Sequence, residues 1–146
     1  MKYLILIFIF MSADIKAQNW LYAFRTNDNS KIYIQKYSYK NSSDSKYWIK
    51  TVGKSIEYYS AKLRKNIKIA GSSIVLWDIN CNEKKYAILT GNTYNSKGSL
   101  VDNFKVSENL LEWKYTFPDT NGEILINFAC NLLGQQNVEL DTAAAK

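Results

Sequence analysis

The chain has 146 residues, of which 47% are hydrophobic and 14% aromatic, enough for one domain with a single core. Its 19 basic and 13 acidic residues give a net charge of +6, and it contains no histidine. The lack of histidine excludes Ser-His-Asp triads, Cys-His pairs and histidine-based metal sites. No phosphate-binding glycine motif is present either. We therefore expect no cofactor, no metal and no catalysis, since no pair of carboxylates is singled out by its spacing.

The first 17 residues have the pattern of a secretory signal peptide. Lys2 is followed by an apolar run over residues 3–11, and the segment ends at the small residue Ala17. The run is too short to span a bilayer, so we predict export with cleavage after Ala17 or after Ala13. A buried first strand is the alternative. No cysteine precedes Cys81, so no lipid anchor is expected, and the periplasm, the cell surface and the medium all stay open as destinations.

Strand patterns dominate the chain that follows. Alternation of apolar and polar residues and enrichment in aromatic residues predict six or seven strands, at 20–24, 32–35, 47–52, 73–81, 86–90, 100–106 and 113–117. Asn95-Ser96-Lys97-Gly98 has the composition of a turn, with Gly98 suited to a positive φ. Pro118 ends the last strand. No internal repeat or linker divides the chain, which predicts one domain over residues 18–134.

The strand over 73–81 shows which side faces the core. Val75, Trp77, Ile79 and Cys81 share one face, whereas Asp78 and Asn80 share the other. The apolar face is predicted to be the core side. The same alternation favours core packing for Trp113, and it does so less clearly for Trp48, for which a recognition surface is the alternative.

A helix is predicted after Pro118. Thr120 and Glu123 form a capping box, and Gly134 is a predicted stop, which leaves residues 135–146 as a disordered tail. Apolar side chains cover more than half of the helix circumference, so the sheet, or the sheet with a second subunit, must cover most of it: they are Ile124, Leu125, Ile126, Phe128, Ala129, Leu132 and Leu133.

Cys130 lies at the edge of that apolar arc. In an exported domain, the two cysteines are most simply one disulfide, Cys81–Cys130, which would tie the helix to the sheet. Two free buried thiols are the alternative.

The ordered motifs resemble one family. Cys81 is followed by Tyr86, Tyr94 by Gly98, and Trp113 by Pro118 and the Cys-bearing helix. Together with the signal peptide and the early Trp20, this order is similar to that of the surface-adhesin protein E family of bacterial envelope proteins, over about residues 20–130. The resemblance implies an antiparallel sheet of about six strands with the helix tied to its concave side. It also implies adhesion to host matrix or serum proteins.

The most basic segment of the chain is the candidate binding site. Lys62, Arg64, Lys65 and Lys68 occur with no acidic residue among them, directly after the aromatic pair Tyr58 and Tyr59. Cations beside aromatic rings can hold acidic protein segments or sulfated glycans. The alternative is a solvated loop or edge strand whose lysines discourage aggregation.

The sequence therefore predicts an α+β protein: a single antiparallel sheet of about six strands, with one C-terminal helix on its concave face tied by a disulfide. Its predicted function is non-catalytic, adhesin-like binding of an extracellular protein or anionic surface. The alternative is a structural or assembly protein of the periplasm or envelope that has no host ligand. Export and a mature charge of only +5, after loss of Lys2, Asp14 and Lys16, argue against nucleic acid as a partner. A homodimer is left open.

Overall fold

The computed structural model describes residues 19–37, 45–60 and 62–144, with side chains described as far as Leu132. The predicted signal peptide lies outside the described residues. The described chain contains seven strands, a short 3-10 helix and an α-helix: β1 Leu21–Arg25, β2 Lys31–Lys36, β3 Lys46–Ser60, β4 Lys65–Asn80, β5 Lys85–Asn95, β6 Leu100–Lys105, the 3-10 helix Glu108–Leu110, β7 Trp113–Tyr115 and α1 Asn121–Ala144.

The strands form one antiparallel sheet in which each strand pairs with the next along the chain, from β1 to β6. The last strand, β7, also pairs with β5, at residues 85–87, whereas β6 pairs with β5 at residues 90–94. This is the α+β architecture that the sequence predicts, and every predicted strand is present. β3 and β4 are longer than predicted, because Gly53, Ser55 and the charged residues beyond them interrupt the apolar alternation.

The core lies between one face of the sheet and α1. It is formed by buried residues of β2, β3, β4 and the helix, namely Ile32, Ile34, Tyr47, Ile49, Ile79, Leu125, Ile126 and Ala129. The Tyr47 hydroxyl donates a hydrogen bond to the Ala129 carbonyl oxygen at 3.3 Å, so the sheet also holds the helix by a polar contact. The predicted disulfide Cys81–Cys130 is confirmed and joins the end of β4 to the helix.

The Thr120 half of the capping box that begins α1 is confirmed, and the Glu123 carboxylate bonds the N–H one residue before the cap. The Glu123 backbone N–H donates to Thr120 Oγ1 at 3.3 Å, and the Glu123 carboxylate accepts from the Asp119 N–H at 2.9 Å. The helix does not end at Gly134 but continues to Ala144. A glycine inside a helix costs only about 1 kcal/mol relative to alanine, and the Gln, Glu, Leu and Ala residues that follow favour the helix. That predicted end is wrong. The prediction that residues 135–146 are a disordered tail concerns behaviour in solution, so it stays a prediction.

The three central tryptophans have different environments. Trp77 packs against the core, with its ring stacked on Tyr86 at a centroid distance of 4.2 Å, as predicted. Trp113 is 38% exposed, so the expectation that it lies in the core is wrong. It belongs to the three-residue edge strand β7. Its cross-strand partner Ala87 pairs in turn with Asp78, which points away from the core, so Trp113 lies on the face away from the helix. Trp48 lies on that face too, because it pairs with Leu76 beside Trp77.

Candidate functional site

The candidate basic segment forms the end of a long hairpin. Pairing of β2 with β3 ends at Val52, and pairing of β4 with β5 begins at Gly71. Between these points β3 and β4 pair only with each other, as far as Ser60 opposite Lys65. We call residues 53–70 the arm. Because two-stranded hairpins are only marginally stable by themselves, the arm depends on its root for support.

The arm has a strong positive charge for its size. It contains five basic residues and one acidic residue, a net charge of +4, and most of its basic side chains are exposed. Arg64 lies in the turn at φ 51°, in the left-handed region. Lys68 is 3.7 Å from the carboxylate of Glu57, its partner across the strands. That ion pair is exposed on both sides, so it adds little stability but neutralises part of the charge.

The structure brings all six predicted site residues onto the arm, but it does not put them on one face. Tyr58 pairs with Ile67, next to buried Ile56, on the side of the sheet that carries the helix. Tyr59 and Lys68 point to the opposite side, because strand residues alternate. The cationic surface shared by both sides is therefore the tip, formed by Lys62, Arg64 and Lys65.

One residue of the tip was missed in the sequence. Leu63 is 55% exposed and lies between two of the cations. Its backbone N–H donates to Ser60 Oγ at 3.3 Å, which helps to hold the turn. An isolated leucine within a basic run is the signal that could have singled it out.

A second candidate surface covers the face of the sheet away from the helix, and sequence reasoning did not predict it apart from Trp48. Successive cross-strand partners on this face are Gln35, Trp48, Leu76 and Thr90 in one row. Two edge-to-face ring pairs stand on it, Tyr22 with Tyr33 and Tyr37 with Trp48, at centroid distances of 5.7 and 6.0 Å. Such aromatic density is unusual on a sheet face that no helix covers.

This face contains a hollow of about 360 Å³. We call it the aromatic hollow, lined by Trp20, Gln35, Lys36, Tyr37, Trp48, Ile74 and Asn92. Lys50, in the neighbouring row, places its ammonium 5.5 Å from the centroid of the Trp20 ring, a cation–π contact. The hollow therefore combines aromatic faces, amides and positive charge.

A polar hollow of about 340 Å³ lies beside the root of the arm, near the first residue of α1. Its chemistry is set by hydroxyl groups and by Asp28. The pKa of Asp28 is lowered by hydrogen bonds from the Thr26 hydroxyl, from the Ser30 backbone N–H and from the Ser30 hydroxyl. These bonds stay within one turn, so they order the β1–β2 connection.

A third hollow, of about 730 Å³, lies between β7 and the start of α1. Its lining includes three exposed aromatic residues, Trp113, Tyr115 and Phe117. Lys85 lies 5.3 Å from the Trp113 ring centroid, and its pKa is raised by the hydrogen bond from its ammonium to Glu83. The contact between Lys85 and Trp113 joins the edge strand β7 to its neighbour β5.

Within the described ranges, no group of three or more Cys, Asp or Glu side chains is arranged to hold a metal ion. None of the helices in the described part of the chain has the length and hydropathy to cross a bilayer.

Comparison with known proteins gives one match. The family model described as Surface-adhesin protein E matches residues 20–131, which include the whole sheet, the arm and the disulfide. No curated protein and no solved structure matches the chain.

Proposed function

The chain belongs to the surface-adhesin protein E family, and on this premise we propose that its arm binds an acidic surface of an extracellular protein. Family membership makes it an adhesin-like protein of the exported or surface class. The proposed role is non-catalytic: the partner is held by charge and by shape. The observation that supports it most is the tip of the arm, where exposed Lys62, Arg64 and Lys65 are the neighbours of exposed Leu63 in the chain.

The position of the tip favours contact with a large partner. The arm extends beyond the strands that flank it, so its end is accessible from both sides of the sheet. Charge attraction would bring an acidic partner to the tip, and Leu63 would supply apolar area once water is displaced. Interfaces gain most of their binding energy from a few central residues, and arginine is common among them, so we assign Arg64 the anchoring role and Lys62 and Lys65 the steering role.

The test is binding of residues 18–146 to a panel of matrix proteins and heparin across a salt series. The key variant changes Lys62, Arg64 and Lys65 to Ala. Its matched control changes Lys31, Lys97 and Lys105 to Ala, which removes the same charge from exposed positions outside the arm. We expect salt-sensitive binding that the key variant loses and the control keeps, because exposed charges are screened beyond about 10 Å at 0.1 M salt.

Other results would point elsewhere. Equal losses in both variants would mean that net charge alone drives binding, and the arm would not be a site. Equal binding by all three proteins would keep adhesion but exclude the arm. If nothing binds at micromolar concentration and the protein fractionates with the periplasm, a structural or assembly role inside the envelope replaces adhesion.

A further inference from the structure

The aromatic hollow is separate from the arm, and the proposed function does not use it. We propose that it is a saccharide-binding site, which takes a pyranose ring against Trp48 and favours glycans with a carboxylate or sulfate group. The proposal rests on the shape of the hollow, on its two amides and on Lys50 at its edge.

The aromatic side chains make a platform that holds its own geometry. Trp48 lies near the start of β3, flanked by Gln35 on β2 and Leu76 on β4, and it is only partly buried. Tyr37 packs against it in an edge-to-face pair, with 70° between the ring planes, and both residues line the hollow. The axial C–H bonds of a pyranose form an apolar surface that packs on such a flat ring face.

The amides decide in favour of a saccharide over an apolar ligand. Gln35 and Asn92 line the hollow from two different strands, β2 and β5. In the part of the chain that the structure describes, neither side chain makes a hydrogen bond to the protein, and no buried polar side-chain atom there is left unpaired. Each amide therefore offers a donor and an acceptor to whatever fills the hollow. Sugar hydroxyls, which both donate and accept, match that pair.

One cation sets the preferred kind of saccharide. Lys50 holds its ammonium over the Trp20 ring at the edge of the hollow, whereas Lys36 contributes to the lining from β2 but pairs with core-facing Tyr47, so its side chain lies on the helix side. An ammonium positioned on a ring face is partly desolvated and keeps its charge for an anionic group nearby. A volume of about 360 Å³ is at the low end of ligand sites, which suits one or two sugar rings rather than a long chain.

The test measures binding of neutral and acidic oligosaccharides of equal length, by calorimetry and by tryptophan fluorescence. Two variants address the hollow: Gln35→Ala with Asn92→Ala, and Trp48→Ala. We expect the amide variant to bind about tenfold more weakly, as the loss of two neutral hydrogen bonds predicts. The arm variant with Lys62, Arg64 and Lys65 changed to Ala is the matched control: it should bind the neutral oligosaccharide normally, and neutral and acidic oligosaccharides are compared in its background so that charge attraction to the arm does not contribute.

The outcomes separate this site from the arm. Loss of saccharide binding in the amide variant, with circular dichroism unchanged and matrix-protein binding kept, supports the hollow whether or not the arm has a ligand. Equal binding of neutral and acidic saccharides would overturn the role of Lys50. Normal binding by the amide variant, or no binding of any saccharide, would overturn the site. A dimer that becomes monomeric on Trp48→Ala would also overturn it, since a second copy would then cover this face.

Discussion

Gly53 and Gly71 lie directly opposite each other where the arm leaves the sheet, and neither has room for a side chain. A Cβ on Gly71 would be 2.0 Å from the Tyr94 carbonyl oxygen, and one on Gly53 would be 2.1 Å from Ser30 Oγ. The register of β3 also shifts between Gly53 and Ile56. Glycines at this point let the neighbouring strands approach closely while the arm continues past them.

Gly71→Ala should therefore destabilise the protein more than Gly53→Ala. At Gly71 the obstacle is backbone, which must move, and overpacking of this kind costs about 1–3 kcal/mol. At Gly53 the nearest atom is a serine hydroxyl, which can rotate. Urea unfolding measures both. Gly122→Ala is the control: its new Cβ would have only ordinary contacts, the nearest at 3.4 Å, so it should be neutral or stabilising. Equal stability of the Gly71 and Gly122 variants would contradict this account.

The disulfide should carry a large part of the stability. Cys81 and Cys130 are 49 residues apart, and closing a loop of that length is worth on the order of 4 kcal/mol in the chain-entropy model. Replacing both cysteines by Ala should lower the free energy of unfolding by a comparable amount, as measured by urea denaturation. Thiol titration of the denatured wild-type protein should find no free thiol. Two reactive thiols, or an unchanged unfolding midpoint, would count against the bridge.

Thr120→Ala should weaken the start of α1. Thr120 Oγ1 accepts from the Glu123 N–H and donates to the Phe117 carbonyl oxygen, so the substitution removes both bonds. We expect a loss of about 1 kcal/mol in unfolding free energy. Thr120→Ser keeps the hydroxyl and should recover most of it. A serine variant as unstable as the alanine variant would mean that the methyl group, not the cap, matters.

Asp28 should titrate below the ordinary aspartate pKa of 3.8. Because its pKa is lowered in the folded protein, its contribution to stability is complete above the unfolded value and is lost as pH falls through the folded value. An NMR titration of the carboxyl carbon measures this directly. Thr26→Val removes the hydroxyl that is the largest cause of the shift, so the pKa should rise towards 3.8. An unchanged pKa in that variant would show that Ser30 holds the carboxylate alone.

Glu57→Gln should strengthen binding at the arm without changing stability much. The substitution releases Lys68 from its exposed ion pair and raises the arm charge from +4 to +5. Pairs of this kind are worth at most about 1 kcal/mol, so thermal unfolding should shift little. Affinity for heparin or an acidic protein should rise at low salt and converge with wild type at high salt. Weaker binding would show that the pair shapes the site instead of shielding it.

Sequence reasoning succeeded wherever a residue's role depends on local pattern. Alternation along 73–81 predicted that Trp77, Ile79 and Cys81 face the core, and the capping box predicted where α1 begins. It failed for Trp113, whose alternation is real but whose side chain lies on the face of the sheet away from the helix. Alternation of apolar and polar residues shows that a strand has two different faces, but it does not show which of them the helix covers.

The candidate sites show the same division. The sequence by itself determined where the positive charge, the two thiols and the turn residues lie along the chain, because charge, thiol chemistry and φ preference are properties of individual residues. Only the tertiary structure decided that β3 and β4 extend past their neighbours to carry the cations on an arm. It alone placed Trp20, Gln35, Trp48 and Asn92 around one hollow, because strand register joins positions that are far apart in the chain.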